Sequence, residues 1–159
     1  MKKLTYLIVA AMLIVCSCSP EKKEETETVE SSSSSSLLGE WRNLTLKVTM
    51  KAEVDSVLEV AEGQWEEVLK IQPIRTTFKE DGTYTSEYRS LEDQIMTTAT
   101  GTWSVSGDEL TMEERGVNTT YKFSIDGDIV TFSGQLDWDS DGEADDLYFG
   151  TQKRYTEGQ

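Results

Sequence analysis

Arg42-Asn43-Leu44-Thr45-Leu46-Lys47-Val48-Thr49-Met50-Lys51-Ala52-Glu53-Val54 is the stretch whose reading decides the fold. Leu44, Leu46, Val48, Met50, Ala52 and Val54 share one parity; Thr45, Lys47, Thr49, Lys51 and Glu53 share the other. Side chains of an extended chain point alternately to opposite faces, so this pattern predicts one half-buried strand and not a helix.

Working outward toward the C-terminus, residues 62–70 depart from that period. Trp65, Val68 and Leu69 have helical spacing, and Pro73 bars a helix that continues further, so a short helix is expected there. Strands and turns then alternate. Ile74–Lys79 leads through Glu80-Asp81-Gly82 into Tyr84–Leu91, and Ile95–Val105 follows. Ser106-Gly107-Asp108 turns into Glu109–Glu114, Arg115-Gly116-Val117-Asn118 into Thr119–Ile125, and Asp126-Gly127-Asp128 into Ile129–Asp137. Asp146–Lys153 is the last strand. Short links make neighbours antiparallel, so the expectation is an all-β, eight-stranded up-and-down meander that closes into a barrel and hides its edges.

Toward the N-terminus the composition changes twice. Residues 18–36 are rich in Glu, Lys and Ser and end in a run of serines, a composition expected to stay disordered as a tether of about 25 Å. Its Lys/Glu cluster reads either as a plain solvated spacer or as a signal directing the chain to the outer leaflet. Before it, Lys2 and Lys3 precede an apolar run from Leu4 to Val15, too short to span a bilayer and suited to an export signal. Val15-Cys16-Ser17-Cys18 resembles a bacterial lipobox, which implies cleavage after residue 17 and lipidation of Cys18. Two acyl chains suffice for stable anchoring. The expected organisation is therefore a signal peptide at 1–17, lipidated Cys18 and tether at 18–36, a barrel domain at 37–155 and a tail at 156–159. The implied location is a bacterial outer membrane, with the domain on its periplasmic or outer side.

Leu38-Gly39-Glu40-Trp41 resembles the G-x-W opening of lipocalins, and Gly101-Thr102-Trp103 repeats the pattern. Phe78-x-x-Asp81-Gly82-Thr83-Tyr84 and Gly107-Asp108-Glu109-Leu110-Thr111 resemble hairpins of bacterial lipocalin-like lipoproteins. The resemblance implies a lipocalin-like barrel over residues 37–155 and a non-enzymatic binding module for a small, apolar ligand. The rival expectation is a structural or adhesion lipoprotein with a filled core. Trp41, Leu44, Leu46, Val48, Tyr84, Trp103, Phe123, Phe132 and Phe149 are the residues expected to line a cavity or fill the core, with Trp41 and Trp103 plugging the closed end.

The chain has no histidine, and Cys16 and Cys18 are its only cysteines, which excludes Ser-His, Cys-His and zinc-histidine chemistry. A net charge of −15 argues against nucleic acid as a partner. One stretch points to an ion. Asp137-Trp138-Asp139-Ser140-Asp141-Gly142-Glu143-Ala144-Asp145 matches the first nine places of an EF-hand-type calcium loop. Asp137, Asp139 and Asp141 would supply carboxylates, Gly142 the sharp turn, Glu143 its backbone carbonyl, and Asp145 the ninth place. The twelfth place is Tyr148 where such loops carry a bidentate Glu, so Asp146 is the candidate substitute and weak binding is expected. The same residues also suit a plain acidic turn.

Overall fold

The computed structural model describes residues 35–156. The signal segment, Cys18 and the tether up to residue 34 lie outside the described residues. Residues 35–37 form a helical turn. Then follow β1 (Gly39–Met50), β2 (Ser56–Val60), α1 (Trp65–Leu69), β3 (Arg75–Phe78), β4 (Thr83–Arg89), β5 (Ile95–Ser106), β6 (Glu109–Glu114), β7 (Val117–Asp126), β8 (Ile129–Leu136) and β9 (Asp146–Arg154). From β3 to β9 each strand pairs antiparallel with the next, and β9 returns to pair with β1. The sheet closes as an eight-position barrel of lipocalin-like form. Closure of β9 on β1 pairs edges that would otherwise template association, and leaves the short β2 with one partner.

The additional strand, β2, went unnoticed in the sequence because it is short and follows directly on the alternation of β1. It lies on the same edge of β1 as β3, one after the other. Leu46 to Met50 pair with Val60 to Ser56, and Gly39 to Arg42 pair with Phe78 to Arg75. The segment between them carries α1 across the upper end of the barrel.

The deciding stretch behaves as a strand, with two corrections. It stops at Met50, where Lys51 and Asp55 pair across a turn at 2.5 Å, so Ala52 and Val54 leave the strand and Val54 is exposed. The single-parity expectation also fails at Leu44. The register against β9 runs Asn43↔Gln152 and then Thr45↔Thr151, which makes Leu44 the extra residue of a β-bulge. The bulge switches parity, so Trp41 and Asn43 face inward below it while Leu46 and Val48 face inward above it. Leu44 is half-buried and belongs to neither core cluster.

Two clusters fill the interior. The lower one packs Leu37, Trp41, Phe78, Tyr84, Leu110, Val130 and Phe132 together, with Trp103 and Phe123 against it. The Trp41 indole donates to the Leu37 carbonyl at 2.7 Å, and the Arg154 guanidinium lies 4.1 Å over its ring while bonding the Leu38 and Ser36 carbonyls. Trp103 meets Phe78 edge-on at 5.2 Å and donates to the Lys79 carbonyl. Both tryptophans pack at the β3–β4 turn end of the barrel. Gly101 is needed where it is because a Cβ there would stand 1.9 Å from the Glu113 carbonyl oxygen. The upper cluster, Leu46, Val48, Val60 and Trp65, seats α1 on β1 and β2. Phe149 is the other correction: it points outward beside Lys47 and Ser133 and is 47% exposed, so it neither lines nor fills the interior. No helix among the described residues is long and apolar enough to cross a membrane.

Candidate functional site

Above the lower cluster the barrel holds a cavity of about 430 Å³. Its volume falls within the range of small-molecule sites. The walls come from inward positions of nearly every strand, and α1 with the segment after it forms one side of the mouth. Leu46, Tyr84 and Phe132 line it as the sequence suggested; Trp41, Val48, Trp103 and Phe123 instead belong to the packing around it. Tyr88 and Tyr121, also aromatic strand residues, contribute to the wall.

The sequence reading also missed the polar part of the lining. Asn43, Thr76, Ser86, Glu114 and Gln152 all face this space. Thr76 and Ser86, opposite each other on β3 and β4, share a hydrogen bond of 2.9 Å. Asn43 and Gln152 are cross-strand partners on β1 and β9 just below the bulge. Their side-chain amide oxygens, and the indole N–H of Trp65, are buried without a hydrogen-bond partner in the protein. Asn43 is only 6% exposed and Trp65 only 3%. A buried donor or acceptor left unmet costs about 1–3 kcal/mol, so three around one cavity is a feature to explain. No local signal marks either residue: Asn43 faces inward because of the bulge, and Gln152, although it follows the alternation of Tyr148 and Gly150, meets Asn43 only through the closure of β1 on β9.

The electrostatics are lopsided. Among the described residues Glu114 is the single charged side chain lining the cavity, and no lysine or arginine joins it. Burial, and then the Glu114 carboxylate, push the Tyr88 hydroxyl above its ordinary pKa. Burial pushes Tyr148 up to about 12 and Tyr121 further still. The interior therefore holds neutral phenols at any physiological pH.

The aspartate loop joins β8 to β9 at the same end. Carboxylate oxygens of Asp137, Asp139 and Asp141 lie within 4.8 Å of one another, all in exposed side chains. Gly142 turns with φ +98°. Within the loop, the Gly142 amide donates to Asp137 at 3.2 Å, the Asp141 amide to Asp139 at 3.2 Å, and the Glu143 amide to Asp141 at 2.8 Å. Asp139 is held above the ordinary carboxylate range by partial loss of water and by its neighbours Asp141, Asp146 and Asp137. The Glu143 and Asp145 carboxylates are not part of this group.

Asp146 has a different place from the one expected. It is fully buried and accepts the backbone N–H groups of Lys51 at 2.8 Å, Trp138 at 2.8 Å and Asp139 at 3.2 Å. The Lys51 bond above all, then the other two, lower its pKa. It therefore ties the β1–β2 turn to the aspartate loop and has its oxygens engaged, which removes it as a substitute twelfth ligand. Trp138, held by that bond, stacks on Tyr148 at 6.2 Å and lines the mouth. The loop and the cavity are thus one continuous structure.

Fold and site together define a closed antiparallel barrel with an interior cavity, plugged at one end and topped by a helix and an acidic loop at the other. Neither a known protein-family model nor a curated protein sequence matches the chain.

Proposed function

We propose that this chain is a lipid-anchored, lipocalin-like binding module that holds a small, largely apolar ligand without transforming it. The cavity of about 430 Å³ carries the proposal, because a barrel serving only as a scaffold gains nothing from unfilled space lined with aromatic side chains. The rival reading, an adhesion or structural lipoprotein, requires the upper half to be as tightly filled as the lower. Export and acylation at Cys18 would place the barrel in the outer membrane, carried on the tether. Two measurements test these parts separately. Nile red should gain fluorescence on mixing with the protein and be displaced by small apolar compounds; no gain would remove the binding reading. Intact mass of the membrane fraction should show Cys18 carrying acyl chains; an unmodified cysteine would remove the anchor.

Calcium at Asp137, Asp139 and Asp141 is part of the same proposal. Three converging carboxylates that repel one another favour a hard divalent cation, and an incomplete ligand set suits the millimolar range. A bound ion would also hold Trp138 at the cavity mouth. Millimolar calcium should raise the melting temperature by mass action. The Asp141→Asn variant should lose that rise, and an unchanged wild-type melting curve would eliminate the ion.

A further inference from the structure

The polar groups in the cavity constrain its ligand more tightly than its volume does. Asn43 and Gln152 stand side by side on adjacent strands in the cavity wall, and each carries a buried, unpartnered amide oxygen; Trp65, on α1, carries a buried, unpartnered N–H. A purely apolar occupant would leave all three unmet. A carboxylate would suit the Trp65 N–H but would face the two amide oxygens and Glu114, with no cationic side chain in the lining to balance it. An uncharged head that both donates and accepts, a hydroxyl or a primary amide, answers the donors and acceptors together.

Apolar surface lies on both sides of these polar groups. Leu69, Ile71 and Ile74 line the mouth side of the cavity. Beyond them, exposed apolar side chains gather at the turns of this end: Val54, Val68, Leu91, Ile95, Val117 and Trp138. The turns of the plugged end carry no exposed large apolar side chain among the described residues. Asn43, Thr76, Ser86 and Gln152 thus form a polar band partway up the wall, above an apolar floor of Phe78, Tyr84, Leu110 and Phe132.

Resting on the binding reading above, we infer that the cavity takes a neutral, short-chain amphiphile whose hydroxyl or amide head is seated between Asn43 and Gln152, with its apolar chain against the apolar lining. The inference also accounts for polar side chains at two inward positions where apolar ones would fill space at lower cost.

Pairs of isomers test it, because they match in size and composition and differ in the head. Binding to the full chain in lipid nanodiscs is read from tryptophan emission, since all four tryptophans lie in the barrel domain. Free ligand is set by dialysis, and empty nanodiscs serve as the blank. Octan-1-ol should bind at least about tenfold more tightly than its isomer 1-methoxyheptane, which cannot donate, because an unmet buried acceptor is penalised by about that factor. Octanamide should exceed N,N-dimethylhexanamide in the same way, and octanoate at pH 8 should bind at least about tenfold more weakly than octan-1-ol. In Gln152→Met or Asn43→Leu the alcohol-over-ether preference should fall below about threefold while the ether still binds; the two variants are independent, so one that fails to fold leaves the other. Equal binding of alcohol and ether, or octanoate binding as well as octan-1-ol, overturns the inference and leaves a generic cavity standing. Nile red binding without any of the octyl compounds does the same. Failure of Nile red and of every octyl compound removes the cavity reading itself, and this inference with it.

Discussion

Replacing Gly101 with alanine should destabilise the barrel far more than a single added methyl group suggests. The new Cβ would lie 1.9 Å from the Glu113 carbonyl oxygen and 2.9 Å from Cε1 of Tyr84. A carbon-oxygen contact relaxes at about 3.3 Å, so β5 and β6 would have to separate locally by about 1.4 Å. The obstacle is backbone on a hydrogen-bonded ladder, where Thr102 faces Glu113, and no rotamer change relieves it. Overpacking costs typically 1–3 kcal/mol, and a clash with backbone belongs near or above the top of that range, at about 3 kcal/mol. With a urea slope on the order of 2 kcal/mol/M, the unfolding midpoint should fall by about 1.5 M. Trp103, two residues away, makes tryptophan emission a local reporter. Gly127→Ala is the control: nothing lies within 4 Å of its Cβ position and only its φ of +61° is strained, so about 1 kcal/mol is expected. If Gly101→Ala is no more destabilised than Gly127→Ala, the close approach of β6 to β5 is wrong.

Further predictions follow from burial and charge. Trp41→Ala should lose about 3–5 kcal/mol, because it empties the plug and leaves the Leu37 carbonyl and Arg154 without their partner; thermal melting checks it, and a fall of only a few degrees would refute it. Asp146 has its folded pKa lowered by backbone donors, so its contribution to stability is complete above the unfolded value near 3.8 and is lost as pH falls through the lower, folded value. Asp146→Asn should therefore be less stable at neutral pH and show a shallower acid limb; identical acid limbs would refute the role given to it. Tyr148 and Tyr121 have raised folded values, so above pH 10 the unfolded chain ionises first and stability should fall as pH climbs toward 12. Tyr148→Phe should weaken that alkaline slope, measured by denaturant midpoints between pH 9 and 11.

The order of strands was legible because each strand and turn is a local pattern. Glu109–Glu114 runs in the structure as its alternation predicts, and the hairpin signal at Asp81-Gly82 is a turn in which the Asp81 carboxylate accepts from the Thr83 amide at 2.9 Å. The clustering of Asp137, Asp139 and Asp141 was legible for the same reason, since the spacing of carboxylates along a loop is a property of consecutive residues. Phe149 was misplaced because an aromatic residue at a strand position carries no label for inside or outside; the pairing with Lys47 and Ser133 decides it.

What the amino-acid order alone determined here is the period of the chain, its turns and the acidity of one loop, all set by forces acting over a few residues. Only the tertiary structure decided where that period slips. The bulge at Leu44 reverses the faces of β1 in mid-strand, and the closure of β1 on β9 brings Asn43 beside Gln152 from the opposite end of the domain. A cavity with polar residues in its wall is made by that meeting of distant strands, and distance in sequence leaves no periodic trace of it.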